Sequence, residues 1–472
     1  WWRADDYSGS SPNIVLNDKS GNSRTMTQAA GTLTPGTAAN GQSRIVGNST
    51  ARLTSAGTLK SWPVTIITVG KRTAGATCGF FGHTGSLPYN SLWTGYESSN
   101  RFFVFNTNGT NNTTPEAGTD ACYTVRIGYG SRVSIVNGLV QNDMILSTIV
   151  QSSATPVSIG TEYRGLNFEW YETLVWDRVL TLDEMDEVHT YINTRYSMSI
   201  PLFSSYTMAK SVIIAGESNA SGRAARGVAD ANVPIQYRGA QTGVNIWYGT
   251  PSVGFGTSWD QFNLTNNNTQ LNDQFQGTAT YFGINTALGY EYYATNSQTI
   301  YILQSSAGSS YLSNVGGGVG FYDCFNNDIA HNSTNRMHGV LLRNWWKSIY
   351  AHQQSSRMPQ LLGIEWIQGI QDSINESASN NYYTKLIAYI PELRAELGLT
   401  ASQSKLFIMR GHSSLPVGLS PYLSTIRAAQ ENAATALPNA QLISLDSYTL
   451  DGTYHLDGTS NISLGTYLAS LL

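Results

Sequence analysis

The chain has 472 residues, of which 41% are hydrophobic and 12% charged, with a formal net charge of −4. That length exceeds one ordinary core and points to two or three domains, the 27 tyrosines and 45 glycines suit a folded rather than a disordered chain, and no basic field exists to attract nucleic acid. No apolar run approaches the roughly 20 residues of a membrane-spanning helix, and Cys78, Cys122 and Cys324 lack metal-ligand spacing.

Residues 1–200 read as β-structure. Short apolar runs at 64–69, 101–105 and 123–127 are separated by Gly, Asn, Ser and Thr turns, the pattern of a sandwich. A single Cys78–Cys122 bridge or three buried thiols are the alternatives for the cysteines. One helix closes this half. Thr181 is placed to cap it, Glu184 stands at the capping-box position, and Leu182, Met185, Val188, Ile192 and Tyr196 recur at helical spacing. The opening Asp18-Lys19-Ser20-Gly21-Asn22, the segment Glu172-Thr173-Leu174-Val175-Trp176-Asp177-Arg178-Val179-Leu180 and the helix that follows resemble the concanavalin-like (laminin-G-like) jelly-roll modules. That resemblance implies a jelly roll whose role is either glycan binding or spacing. Residues 201–208 break both patterns and read as a linker.

From 209 to 472 the grammar alternates. Apolar runs at 211–215, 299–304, 361–367, 405–409 and 440–445 read as buried strands. Leu341, Leu342, Trp345 and Ile349 share one helical face; Leu386, Ile387, Ile390, Leu393 and Leu397 share another; a third helix is expected over 423–437. Five strands alternating with helices predict a five-stranded parallel sheet covered on both faces. Residues 220–278 show no clear period and read as a long loop.

The strand at 211–215 runs into Gly216-Glu217-Ser218-Asn219-Ala220-Ser221-Gly222-Arg223. A small-residue turn there presents the Ser218 hydroxyl at the C-terminal edge of the sheet, where open α/β sheets carry their sites. Three more segments follow in order: Ala307-Gly308-Ser309-Ser310, then Glu365-Trp366-Ile367-Gln368-Gly369-Ile370-Gln371-Asp372, then Asp451-Gly452-Thr453-Tyr454-His455-Leu456-Asp457. Together they resemble the blocks of the SGNH (GDSL-like) hydrolases, in the carbohydrate-esterase branch that includes sialate O-acetylesterases. The resemblance implies an α/β/α fold, Ser218 as nucleophile, His455 as base and Asp451 as its orienting acid. It implies oxyanion donors at the N–H groups of Ser218 and Gly308 and the amide of Gln368, with no metal or organic cofactor. Four departures stand out: Glu217 for Gln, Ala220 for Met, Ile370 for Glu, and an Asp–His spacing one residue longer than Asp-x-x-His. The longer spacing leaves Asp446 and Asp457 as alternatives to Asp451, and His412 is a weak rival base.

Glu217, Asn219, Arg223 and Trp366 are the candidate substrate-binding residues, and Trp247, Tyr248, Trp259 and Trp366 are candidates for stacking on sugar rings. The expected reaction is removal of acetyl groups from a surface polysaccharide, with O-acetylated glycan as the partner. Low charge, Asn/Thr/Gly richness and a lectin-like module beside an esterase suit an extracellular or virion protein, such as a bacteriophage tail spike, for which a homotrimer is the expected assembly. A secreted bacterial esterase of other acyl esters and a glycan-binding adhesin with an inactive hydrolase domain are the alternatives. The first residue is Trp1 rather than Met, so a preceding segment is expected.

Overall fold

The computed structural model describes residues 1–48, 50–58, 63–74, 78–83, 93–97, 101–104, 119–128, 132–141, 156–160, 167–225, 232–250, 254–255, 260–263, 281–306, 308–312, 321, 337–452 and 454–472. Two compact units emerge, the first comprising Trp1–Ser205 and the second beginning at Tyr206.

The first unit is an antiparallel β-sandwich. One sheet runs in the order Leu139–Val140, Arg132–Val136, Asp120–Ile127, Val64–Ala74, Asn167–Trp176, Ser43–Gly47 and Leu33–Thr37, with Trp2–Arg3 added beside Asn167–Trp176. The other runs Arg101–Val104, Trp93–Glu97, Cys78–His83, Pro156–Ile159, Arg52–Thr58, Met26–Ala30, Val15–Leu16 and Tyr7–Ser8. Their inner faces meet in a core that includes Trp2, Leu16, Met26, Leu53, Ile66, Val125, Val157 and Trp170. The outer face of the first sheet is covered too, which is why its strands read as nearly continuous apolar runs. Thr65 there donates to the Arg178 carbonyl at 2.9 Å, and the buried Arg126 donates to the Leu180 carbonyl at 2.8 Å. Helix α1 (Leu182–Tyr196) follows, with both halves of the Thr181–Glu184 capping box formed. The stretch read as a linker holds a 3-10 turn (Phe203–Ser205), whose Phe203 and Ser204 N–H groups donate to the Asp186 carboxylate at 2.6 and 2.8 Å.

Cys122 is a buried free thiol, so the Cys78–Cys122 bridge is not formed. Burial pushes that thiol up to about 12, against the pull of a hydrogen bond with Thr124. Cys324 and His331 lie outside the described residues.

The second unit is built on a parallel sheet of six strands: β1 (Thr207–Gly216), β2 (Ala240–Thr250), β3 (Ile300–Ser306), β4 (Arg357–Ile367), β5 (Lys405–Arg410) and β6 (Ala440–Ser444). Their order is β2-β3-β1-β4-β5-β6. Val212, Ile213, Ile214 and Ala215 of β1 are fully buried, as a central strand covered on both faces requires. The sheet has one parallel strand more than the five expected. β2 lies in the stretch read as a loop, toward the margin of the sheet, between β3 and an antiparallel strand (Asp260–Asn263). Its buried Val244, Ile246 and Trp247 are interleaved with Gln, Gly and Asn, so no continuous apolar run marks it. Six further helices follow α1: α2 (Ser218–Ser221), α3 (Asn285–Asn296), α4 (Met337–Gln353), α5 (Glu376–Glu396), α6 (Leu423–Ala436) and α7 (Gly458–Leu471). Among the described residues no helix is long and apolar enough to cross a membrane.

The topology fixes where a site can form. The chain leaves β1 toward β2 on one side and later builds β4, β5 and β6 on the other, so the order reverses at β1. A crevice at the C-terminal ends of β1 and its neighbours is the expected ligand position in such a sheet.

Candidate active site

Gly216 ends β1 in Cα register with Ser306 of β3 on one side and Ile367 of β4 on the other. Residues 218, 308 and 368 therefore leave three adjacent strands at one level. Gly216 is obligatory on two counts. Its φ is +146°, and a Cβ at that position would lie 2.0 Å from the Ile367 carbonyl oxygen. The chain then turns at once: the Glu217 N–H donates to the Ile367 carbonyl at 2.9 Å, and α2 begins at Ser218.

The opposite wall is a two-strand hairpin after β6. β7 (Leu450–Asp451) pairs antiparallel with β8 (His455–Leu456). It delivers His455 Nε2 to 3.0 Å from Ser218 Oγ, across 237 residues of sequence. For Nε2 to act as a base the hydroxyl must donate to it, which requires the tautomer with the ring proton on Nδ1. Asp451 is the cross-strand partner of His455, so both side chains leave the hairpin on the same face. Asp451 is exposed, and no described hydrogen bond joins its carboxylate to the imidazole. The other two acids are committed elsewhere. Asp457 caps α7, accepting from Ser460 N at 2.7 Å. Asp446 is gripped by Arg427, Arg410 and the Ser413 N–H, and the Arg427 guanidinium holds it well below the usual carboxylate range. Both ring nitrogens of His412 are also spent, one on the Tyr448 carbonyl at 2.9 Å and one on Ser414 N at 3.0 Å.

On the oxyanion side, one expected donor is engaged elsewhere. Among the described residues the N–H groups of Ser218 and Gly308 donate to no other group. Gln368 is not available. It is 2% exposed, and its Nε2 donates to the Ser310 carbonyl at 3.0 Å and to Asp372 Oδ2 at 2.5 Å. Both amide hydrogens are thus engaged in holding the loop after β3 to the turn after β4.

Three of the four candidate substrate contacts also face the protein. Glu217 is buried, and its carboxyl accepts from the N–H groups of Ile370 at 2.7 Å and Gln371 at 3.0 Å. Burial pushes it up, and those backbone donors pull it back only to about 8. Asn219 is 4% exposed and bonded to the backbone on either side of His455. Trp366 is fully buried, packed edge-on to Phe321 with ring centroids 4.8 Å apart, and donates to the Tyr382 hydroxyl at 3.4 Å. It cannot stack on a ligand, and neither can Trp247, whose indole is buried and donates to Asn344. Arg223 is half-buried just beyond α2. Trp259 and the Tyr248 side chain lie outside the described residues.

A second polar brace escaped the sequence reading. Gln304 of β3 donates to the Ala220 and Ser221 carbonyls at 2.8 and 3.3 Å, so it satisfies the end of α2, and Asn285 donates to Gln304 Oε1 at 2.7 Å. Ser221 Oγ meets Ser306 Oγ at 3.0 Å. The signal was present: Gln304-Ser305-Ser306 is polar sequence at the end of an otherwise apolar, fully buried strand. Among the described residues no group of three or more His, Cys, Asp or Glu side chains is gathered to hold a metal ion.

A family model described as "Carbohydrate esterase, sialic acid-specific acetylesterase" matches residues 209–472. Among solved structures the chain is similar to a protein from Arabidopsis thaliana, at 15% identity and a TM-score of 0.42, covering 56% of this chain and 97% of that one. It is similar to a carbohydrate acetylesterase from Xanthomonas citri, at 13% identity and a TM-score of 0.37, covering 89% and 70%. It is also similar to NanS, at 12% identity and a TM-score of 0.39, covering 57% and 97%. No curated protein sequence matches the chain.

Proposed function

The chain belongs to the carbohydrate esterase, sialic acid-specific acetylesterase family, and from that premise we propose that it deacetylates O-acetylated sugars through an acyl-enzyme formed on Ser218. The observation that carries this reading is the 3.0 Å contact between His455 Nε2 and Ser218 Oγ at the C-terminal edge of the sheet. His455 takes the hydroxyl proton as Oγ attacks the acetyl carbonyl carbon. The N–H groups of Ser218 and Gly308 stabilise the tetrahedral oxyanion, each such donor contributing about 10²–10³ in rate. Collapse expels the sugar alkoxide, which takes the proton back from His455. Water then repeats the sequence on the acetyl-serine and releases acetate. Asp451, on the same face of the hairpin, stabilises the imidazolium.

The substrate we propose is an acetylated surface polysaccharide, with the β-sandwich raising the local glycan concentration. A low-charge, Asn/Thr/Gly-rich composition supports an extracellular or virion setting, such as a phage tail spike, with a homotrimeric assembly to be read by sedimentation. The test is acetate release from a panel of O-acetylated bacterial polysaccharides and O-acetyl sialic acids, each paired with the Ser218→Ala variant. Release from at least one glycan that vanishes in the variant supports the proposal. Tight glycan binding with no release from any of them would favour an adhesin with an inactive hydrolase.

A further inference from the structure

Asn219 follows the nucleophile directly in sequence, and its side chain points away from solvent toward the base. Its Nδ2 donates to the Tyr454 carbonyl at 3.1 Å, and its Oδ1 accepts from the Leu456 N–H at 3.1 Å. Those two backbone groups flank His455. In an extended strand the carbonyl of residue i−1 and the N–H of residue i+1 point to the same side, so one carboxamide can pair with both. On its other edge β8 is held by β7, with Asp451 opposite His455. The side chain of Asn219 therefore acts as a one-residue strand, closing the open edge of the segment that carries the imidazole. It is 4% exposed, which leaves little of it for a ligand.

The anchor of this clasp is itself rigid. α2 is held at its far end by Gln304 on the Ala220 and Ser221 carbonyls and by the Ser221–Ser306 contact. At its near end the Glu217 N–H is bonded to the Ile367 carbonyl. The β7–β8 hairpin has only two residues in each strand, too few to fix its own position. Asn219 is thus a direct link from the turn carrying Ser218 to the segment carrying His455, a segment also held by the buried Leu456 and by Asn461 on the Leu456 carbonyl.

We propose that Asn219 is a positioning residue that sets the nucleophile–base distance, and that it makes no contact with the sugar. This inference rests on the reading of Ser218 and His455 as the reacting pair. A misplacement of about 1 Å between reacting groups costs about 10²-fold. Asn219→Ala removes both bonds and is expected to lower kcat for p-nitrophenyl acetate by about that factor, with KM unchanged. Asn219→Asp keeps the shape and the acceptor for Leu456 N–H but turns an oxygen toward the Tyr454 carbonyl. Protonation of the new acid restores a donor there, so the activity ratio of Asn219→Asp to the parent rises as pH falls from about 8 to about 5.5. A purely structural role would give no such reversal, and Asn219→Asp covers a failure of Asn219→Ala to fold, with kcat taken per folded molecule by circular dichroism. Activity of Asn219→Ala equal to the parent, or a raised KM at unchanged kcat, overturns the inference. So does a pH-independent ratio for Asn219→Asp. Ser218→Ala, run in parallel, separates the two claims: activity surviving there removes the reacting pair itself, whereas a dead Ser218→Ala beside an unaffected Asn219→Ala removes only the positioning role.

Discussion

Replacing Glu217 by Gln tests the electrostatics of the nucleophile turn. The carboxyl is buried, accepts two backbone N–H groups and titrates at about 8 rather than at its ordinary 4.5. The folded protein therefore keeps a proton that the unfolded chain has already released. Stability from this group is complete below pH 4.5 and is lost as pH rises through about 8, at about 1.4 kcal/mol per pH unit. The penalty reaches about 5 kcal/mol. Gln does not titrate, but its NH₂ faces the Gln371 N–H and leaves that donor unpaired, a cost of about 1–3 kcal/mol at every pH. Glu217→Gln should thus be the less stable protein near pH 5 and the more stable one near pH 8. The assay is urea unfolding at about pH 5, 6.5 and 8, scored on the transition that abolishes p-nitrophenyl acetate hydrolysis, because a two-unit chain need not unfold in one step. A stability difference that stays constant across that range would refute a neutral Glu217.

Gly216→Ala should abolish folding of the second unit or leave it without esterase activity, since its Cβ would sit 2.0 Å from the Ile367 carbonyl oxygen; melting and activity together report this. Asp451→Asn should lower kcat by about tenfold or more, short of the roughly 10⁴-fold seen for a buried orienting acid, because Asp451 is exposed. Asp446→Asn should leave kcat nearly unchanged while lowering stability above the carboxylate range, where Asp446 is ionised and paired with Arg410 and Arg427; that contribution disappears as pH falls. The peptide carrying Cys122 should resist thiol reagents in the native protein and react after denaturation, as mass spectrometry would show.

The parts legible in the sequence were those set by local pattern. The continuous run before Gly216 reads as a central strand because both faces of β1 are covered, and Thr181 with Glu184 announces a helix start because capping needs only four residues. β2 was hidden because a strand near the margin of the sheet alternates polar with apolar residues, and α3 because its Asn, Thr, Gly and Tyr content gives a weak stripe. In the site, residue order brought Ser218 and His455 into view, yet it could not show which way a polar side chain turns. Gln368, Glu217 and Asn219 have the chemistry to meet a substrate and spend it inside the protein instead, on backbone groups and, for Gln368, also on Asp372. Trp366 is sorted the same way: a tryptophan on a central strand faces a helix layer, here Tyr382 and Tyr389 of α5.

The most direct measurement of the central claim is the reaction of the protein with a fluorophosphonate, followed by intact mass and peptide mapping. Activation of the Ser218 hydroxyl by His455 predicts a single phosphonyl adduct on Ser218, formed at least about 10³-fold more slowly in His455→Ala. An adduct on another residue, or an equal rate in His455→Ala, would contradict it.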